Sequence, residues 1–185
     1  LCAFNWTTGE LLDWQPSVSN RVDQLKIVGD KLFIGGWFNR VEGQPRIAFA
    51  GFSLDDLEIT SDVFSFSSSS LEFVRCTALQ EQDGNLLVAT SAGQIQERQR
   101  LGFAAFDLNG EALDLSKPFI ESSTTIVSSL PIVFDLEVVG DKVYAGGNFS
   151  GIHVNGASFL ASASLLTGVA DLPPADLNDR VLTLA

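Results

Sequence analysis

The sequence predicts an all-β protein, a β-propeller built from four-stranded antiparallel blades. A unit of roughly 50 residues recurs along the chain, and its short apolar runs are separated by turns rich in Gly and Asp. No segment shows the 3.6-residue period of an amphipathic helix. Tandem four-stranded units of this length are typical of propellers, whereas a sandwich would not repeat one unit with aligned turns.

The first two strands of the unit are predicted where two apolar runs flank a two-residue turn. One copy covers residues 25–38 with the turn Gly29-Asp30, another covers 136–149, and a divergent copy covers 79–90. Gly and Asp accept positive φ, so this pattern indicates a β-hairpin. The starts of the unit align on the leucines Leu25, Leu79, Leu136 and Leu184, each preceded three residues earlier by Val22, Cys76, Val133 or Val181.

The third and fourth strands follow from a run of alternating large and small residues, a Gly turn and a segment that ends at Pro. The runs are at residues 49–53, 103–107 and 160–164, and residues 1–5 resemble them. Small residues between large ones suit a strand packed on both faces. Because Pro is confined to edge strands or strand ends, the fourth segment is predicted to be outermost.

These patterns divide the chain into three full blades with partial blades at both ends. We expect residues 1–18 to end a preceding blade, residues 19–66, 73–118 and 130–173 to be complete blades, and residues 181–185 to begin the next. A propeller closes with about four blades or more. The chain is then a slice of a longer propeller or an oligomer whose open ends another chain completes. Since open strand edges promote aggregation, we favour the slice.

Composition excludes several classes of partner. The net charge of −12 disfavours binding to nucleic acid and to anionic lipid. No apolar run is long enough for a membrane span, and no signal peptide opens the chain, so a signal for secretion is expected upstream of Leu1. Cys2 and Cys76 lack zinc-ligand spacing, and we predict that both are buried free thiols.

The repeat resembles the delta-60 repeat of bacterial surface and secreted proteins, a pattern related to the propellers of fungal cortical polarity markers. The motifs that carry the resemblance are Gly35-Gly36-Trp37-Phe38 and Gly146-Gly147-Asn148-Phe149, with residues 41–46 similar to the family's link between second and third strands. Ala89-Thr90 departs from the Gly-Gly pair. The resemblance implies a non-catalytic propeller that is extracellular, on the cell surface or periplasmic, within a long adhesin-like protein.

One propeller face is predicted to carry the binding residues, since the second-to-third-strand links share a face with the blade-to-blade links. Trp37 stands where the later copy has Asn148, so the repeat does not require it, and an aromatic among polar groups is typical of a recognition site. Packing between blades is the alternative role of Trp37. The candidate residues are Trp37, Asn39, Arg40, Arg98, Arg100, His153 and Asn155.

Charged residues elsewhere have architectural interpretations. Arg21, Arg75 and Arg180 recur before the first strand. They either bind an anion at the channel mouth or, as we favour, pair with an acid or with carbonyls of a neighbouring blade, and the candidate acids are Asp13, Asp114 and Asp171. The acidic cluster at residues 55–58 lacks a calcium-loop pattern and is predicted to be a solvated turn.

We therefore expect a non-enzymatic recognition or adhesion module that presents loops to a protein or glycan on another cell surface. No catalytic residues, metal ligands or cofactor are predicted, because the only histidine, His153, has no second His or Cys pair nearby. A structural spacer in a long surface protein is the first alternative. A propeller hydrolase or lyase is the second, and it would require acids or histidines that converge at the channel mouth.

Overall fold

The protein is all-β. A computed structural model describes residues 1–61, 66–67, 74–92, 94–95, 98–99, 103–113, 132–150, 158–165, 170–171, 177 and 179–184. In chain order the strands are β1 (Arg21–Val28), β2 (Lys31–Trp37), β3 (Arg40–Val41), β4 (Gln44–Pro45), β5 (Phe49–Ser53), β6 (Phe66–Ser67), β7 (Cys76–Gln82), β8 (Asn85–Thr90), β9 (Gln94–Ile95), β10 (Arg98–Gln99), β11 (Phe103–Phe106), β12 (Ile132–Val139), β13 (Lys142–Ser150), β14 (Ser158–Ser164) and β15 (Ala170–Asp171).

Three antiparallel sheets share one strand order. Sheet 1 is β1-β2-β5, sheet 2 is β7-β8-β11 and sheet 3 is β12-β13-β14-β15. The predicted fourth strand is present in sheet 3 as β15. At the same place among the described residues, Ile59 bridges to Phe52 in sheet 1 and Ala112 bridges to Phe106 in sheet 2. Residues 114–118, where the predicted fourth segment of sheet 2 continues, lie outside the described residues.

The predicted hairpins at the start of each sheet are confirmed. In sheet 2 the turn residues Asp83 and Gly84 both have positive φ, 52° and 77°, as a two-residue hairpin turn requires. The first strand of each of sheets 1 to 3 has a bulge near its beginning, which in β1 lies between Val22 and Gln24. Directly opposite this bulge, a Cβ on Gly36 would lie 2.9 Å from Cα of Val22 and would overlap the carbonyl oxygen of Arg21. Gly36 therefore lets the two backbones approach closely.

Sheets 1, 2 and 3 pack face to face in chain order, and the first strand of sheet 2, β7, lies next to both β1 and β12. Gly35 of sheet 1 faces sheet 2, where a Cβ on it would meet Cβ of Cys76 at 3.1 Å. Gly146 of sheet 3 is covered in the same way by Val181, whose Cγ1 would be 2.6 Å from an added Cβ. The residues that the sequence aligned, Cys76 and Val181, thus make equivalent contacts.

Polar side chains at equivalent positions join the three first strands. Nζ of Lys26 donates to Oε1 of Gln80 at 2.9 Å, and Nε2 of Gln80 donates to Oε2 of Glu137 at 3.2 Å and to the carbonyl of Leu136 at 3.0 Å. Thr77 also donates through Oγ1 to the carbonyl of Val133. These bonds hold β1, β7 and β12 in register with one another.

The apolar core lies between the sheets. Fully buried residues between sheets 1 and 2 include Phe33, Phe49 and Phe106, and Phe66 of β6 packs by its edge against Phe49 at 6.0 Å and Phe106 at 6.1 Å. Cys76 is buried among them, and burial raises the pKa of its thiol. Cys2, however, is exposed, so its predicted burial was wrong.

The N-terminal residues form a turn that repeats the third-to-fourth-strand connections. Asn5 N donates to the carbonyl of Glu10 at 2.8 Å, as Ser53 N does to Glu58 at 2.9 Å and Asp107 N does to Glu111 at 3.0 Å. Trp14 then packs edge-on against Phe52 with centroids 5.3 Å apart and donates through Nε1 to the carbonyl of Leu57 at 3.1 Å. The N-terminal segment is thereby fixed to sheet 1.

Asp107 caps one of these turns and should make stability depend on acid. Desolvation raises the pKa of Asp107, but hydrogen bonds from the backbone N–H groups of Glu111 and Asn109, both 2.9 Å, outweigh it and leave the pKa below its usual value. A lowered folded-state pKa stabilises the fold above the unfolded-state pKa, and this contribution is lost as the pH falls below about 4.

We expect Asp107→Ala to lower the free energy of unfolding by about 1 kcal/mol at pH 7, a modest value because the carboxylate is largely solvated. The difference from wild type should shrink at pH 2.5, since protonation removes the same interaction. Urea unfolding at both pH values measures it, and Asp13→Ala is the control. An effect equal at both pH values would contradict the role of the ionised carboxylate.

Candidate functional site

The candidate site is a small recess beside the exposed Trp37, at the end of β2. Trp37 is 46% exposed and lies opposite Arg21 in the strand register. The recess has a volume of about 190 Å³. Its lining consists of Ser19, Asn20, Trp37, Phe38, Asn39, Ile47 and Val74, and we call it the Trp37 recess.

The hairpin β3-β4 positions two of the predicted residues. Arg40 pairs with Pro45 and Val41 with Gln44, which leaves Glu42 and Gly43 as the turn with φ of 49° and 72°. Val41 is fully buried and anchors the hairpin to the apolar cluster on sheet 1. Asn39 and Arg40 are therefore carried at the base of a short hairpin with a buried anchor.

Ser19 ties this hairpin to the segment that precedes β1. Its Oγ donates to Oδ1 of Asn39 at 3.0 Å and accepts from the backbone N–H groups of Asn39 and Arg40, each at 3.1 Å. Val18 also bridges to Val41. The second-to-third-strand link and the segment before the first strand thus share one face, as the sequence analysis predicted.

Arg40 is an exposed cation beside this recess. Its Nη1 donates to the carbonyl of Gly43 at 3.0 Å, so the hairpin turn orients the guanidinium. A guanidinium has five N–H donors, and one such bond leaves donors for an acceptor in solution. The aromatic Trp37, the amide of Asn39 and this cation lie within a few residues of each other on one surface.

The remaining predicted residues are Arg98, Arg100, His153 and Asn155. Arg98 lies on β10, paired with Ile95, in a hairpin at the equivalent point of the repeat, and β9 of that hairpin pairs with β6. Arg100, His153 and Asn155 lie outside the described residues. The structure therefore places Trp37 and Asn39 in the lining of one recess, and Arg40, which follows Asn39 in the chain, on the adjoining hairpin.

One of the recurring arginines, Arg75, joins two sheets. Nε of Arg75 is 2.9 Å from Oδ2 of Asp23 in sheet 1, and Nε of Arg21 is 2.7 Å from Oδ1 of the same carboxylate. The predicted pairing with an acid of a neighbouring sheet is confirmed for Arg75, but the acid is Asp23, which was not among the three predicted candidates. Arg180 is exposed at the C-terminal end, and Asp179 accepts from its backbone N–H.

The acidic cluster at residues 55–58 is a solvated turn, as predicted. Oδ1 of Asp56 accepts from the backbone N–H of Glu58 at 3.1 Å, and this bond lowers the pKa of Asp56. The cluster is exposed, and its Asp56 carboxylate accepts a hydrogen bond from a backbone N–H of the same turn.

Sequence reasoning did not anticipate Ser19 and Asn20. Both directly precede β1, and Oδ1 of Asn20 accepts from the N–H of Arg21 at 2.8 Å. The sign of their role in the sequence is that two residues with short polar side chains directly precede a predicted strand.

No family model and no curated protein matches the sequence. Among solved structures, the crystal structure of the computationally designed Ika8 protein aligns with a TM-score of 0.44 and 13% identity over 97% of this chain. This chain spans 57% of the length of that protein. Within the part of the chain that the structure describes, no helix has the length and apolar character to cross a membrane.

Proposed function

We propose that the chain is a segment of a β-propeller that serves as a non-enzymatic recognition module on a cell surface or outside the cell. The propeller interpretation has blades at residues 19–66, 73–118 and 130–173 and partial blades at 1–18 and 181–185. It is supported by the shared strand order of sheets 1 to 3 and by the repeated contact of Gly35 with Cys76 and Gly146 with Val181.

The single observation that carries the recognition role is the half-exposed Trp37 at the rim of a polar recess. Large aromatic side chains that remain exposed beside hydrogen-bonding groups are enriched at binding hot spots. Trp37 supplies apolar area, Asn39 lines the same recess, and Arg40 adds an oriented cation. This combination suits a protein or a glycan with acidic groups.

A glycan array and a cell-binding assay test this proposal. Trp37→Ala with Arg40→Ala should reduce binding at least tenfold relative to wild type. Trp6→Ala is the matched control, because Trp6 is fully exposed on the N-terminal turn and should leave binding unchanged. Binding that survives the Trp37 and Arg40 changes would reject the Trp37 recess as the recognition surface.

A structural spacer is the second candidate, and one observation favours it. The polar groups of Ser19, Asn39 and Arg40 bond largely to one another and to the hairpin, an arrangement that also serves to fix the loop. A folded wild-type protein that binds neither glycans nor cells in these assays would support the spacer.

A further inference from the structure

The two interfaces between successive sheets use equivalent positions but are filled differently. Between sheets 1 and 2, Nζ of Lys31 donates to the carbonyl of Leu108 at 2.7 Å. The Leu108 side chain packs over Gly29, where an added Cβ would be 3.3 Å from Cδ1. Phe33 stacks on Phe49 with centroids 5.5 Å apart. Large side chains therefore occupy this interface up to its hairpin turns.

Smaller or polar residues take these places between sheets 2 and 3. Asp83 stands at the position of Gly29, Asn85 at that of Lys31 and Leu87 at that of Phe33. On the facing sheet, Val143 and Ala163 replace the Leu86 and Phe106 that face sheet 1.

The lost volume leaves an open cleft of about 460 Å³, which we call the sheet 2–sheet 3 cleft. Its lining residues are Gln82, Asp83, Asn85, Leu87, Ala105, Leu113, Gly140, Asp141 and Leu165.

The chemistry of the cleft changes from floor to rim. The floor is apolar and is formed by Leu87, Ala105, Leu113 and Leu165, while the hairpin turns place the carboxylates of Asp83 and Asp141 at the rim. Oδ2 of Asp83 accepts from Nε2 of Gln82 at 3.0 Å, which holds an amide beside the charge. Among the described residues that line this cleft there is no lysine or arginine.

We propose that the sheet 2–sheet 3 cleft binds a small organic cation, an apolar or aromatic group that carries an ammonium. Volumes of about 300–1,000 Å³ with an apolar lining and a few polar groups are typical of small-molecule sites. The floor removes the apolar group from water, and the two rim carboxylates attract the cation. This site is separate from the Trp37 recess and does not rest on the proposed recognition role.

Titration of the ¹⁵N-labelled protein with 2-phenylethylamine tests the proposal, with 2-phenylethanol as the neutral probe of the same shape. We expect saturable shifts of the amides of Gly84, Gly140 and Leu165 with a Kd of about 1 mM, as befits a probe of this size. The alcohol should bind at least fivefold more weakly. Equal affinity for the two probes would overturn the cation preference.

Two variants locate the site. Leu87→Phe with Gln82→Val copies Phe33 and Val28 of sheet 1, so it should fill the cleft, preserve folding and weaken binding at least tenfold. Asp83→Asn with Asp141→Asn should reduce the affinity for the amine to that for the alcohol, and Asn at position 83 tolerates the positive φ of the turn. Unchanged binding in either variant would overturn the site, and the charge variant remains decisive if the filled one fails to fold.

Trp37→Ala separates this inference from the proposed function. The variant should bind 2-phenylethylamine like wild type, because Trp37 does not line the cleft. Loss of amine binding in Trp37→Ala would contradict the assignment to the sheet 2–sheet 3 cleft.

Discussion

Gly36→Ala is expected to lower the free energy of unfolding by about 3 kcal/mol or more, a large part of the stability of a domain of this size. The new Cβ would overlap the carbonyl oxygen of Arg21 and lie 2.9 Å from Cα of Val22. Both obstacles are backbone atoms of the neighbouring strand, so the bulge in β1 would have to shift. The midpoint and slope of the urea unfolding transition measure the loss of stability.

Gly84→Ala is the matched control for this substitution. A Cβ there meets nothing within 4 Å, and only the φ of 77° opposes it, so we expect a loss of about 1 kcal/mol. In sheet 2 the buried Thr90 holds the position of Gly36, so a side chain is tolerated where the local backbone suits it. Equal losses in Gly36→Ala and Gly84→Ala would contradict the close approach of the strands.

Phe106→Ala is expected to destabilise the protein by about 3–5 kcal/mol, since it removes a fully buried aromatic side chain between sheets 1 and 2. The ring of Phe66 packs against Phe106 at 6.1 Å, and it would lose this partner. Thermal and urea unfolding should both record the change.

Phe4→Ala is the control of the same residue type. Phe4 is 60% exposed in the N-terminal turn, so its removal should change the free energy of unfolding by less than about 1 kcal/mol. A small effect of Phe106→Ala would mean that the interface between sheets 1 and 2 does not supply the stability inferred for it.

The strands could be predicted because the repeat aligns chemically similar residues. Leu79 and Leu184 were equated from the sequence, and both lie near a glycine of the preceding sheet, Gly35 and Gly146. The small sheet of β6, β9 and β10 could not be predicted. Its strands have two residues each and no periodicity, and Phe66 stands in a Ser-rich link whose burial depends on Phe49 and Phe106.

The site was predictable only where the residues are close in sequence. Trp37, Asn39 and Arg40 lie on one link, so their proximity followed from the strand pattern. The contribution of Ser19 and the choice of Asp23 as the partner of Arg75 depend on contacts between distant segments. No local pattern specifies which of many carboxylates a guanidinium meets. Cys2 was misjudged because the repeat aligns it with buried positions, whereas its side chain is exposed beside the N-terminal turn.

The unequal filling of the two interfaces has a consequence for how the array comes apart. In a row of similar units, stability is approximately a sum of unit terms and nearest-neighbour terms, so the neighbour pair with the weakest term separates first. Because Leu87, Val143 and Ala163 are smaller than their counterparts between sheets 1 and 2, we expect the junction of sheets 2 and 3 to separate before that of sheets 1 and 2. A molecule lodged between sheets 2 and 3 would contact both units and raise the free energy needed to part them, by an amount that grows with its concentration. A molecule bound in the cleft would thus hold sheets 2 and 3 together, and the protein would unfold more cooperatively in its presence.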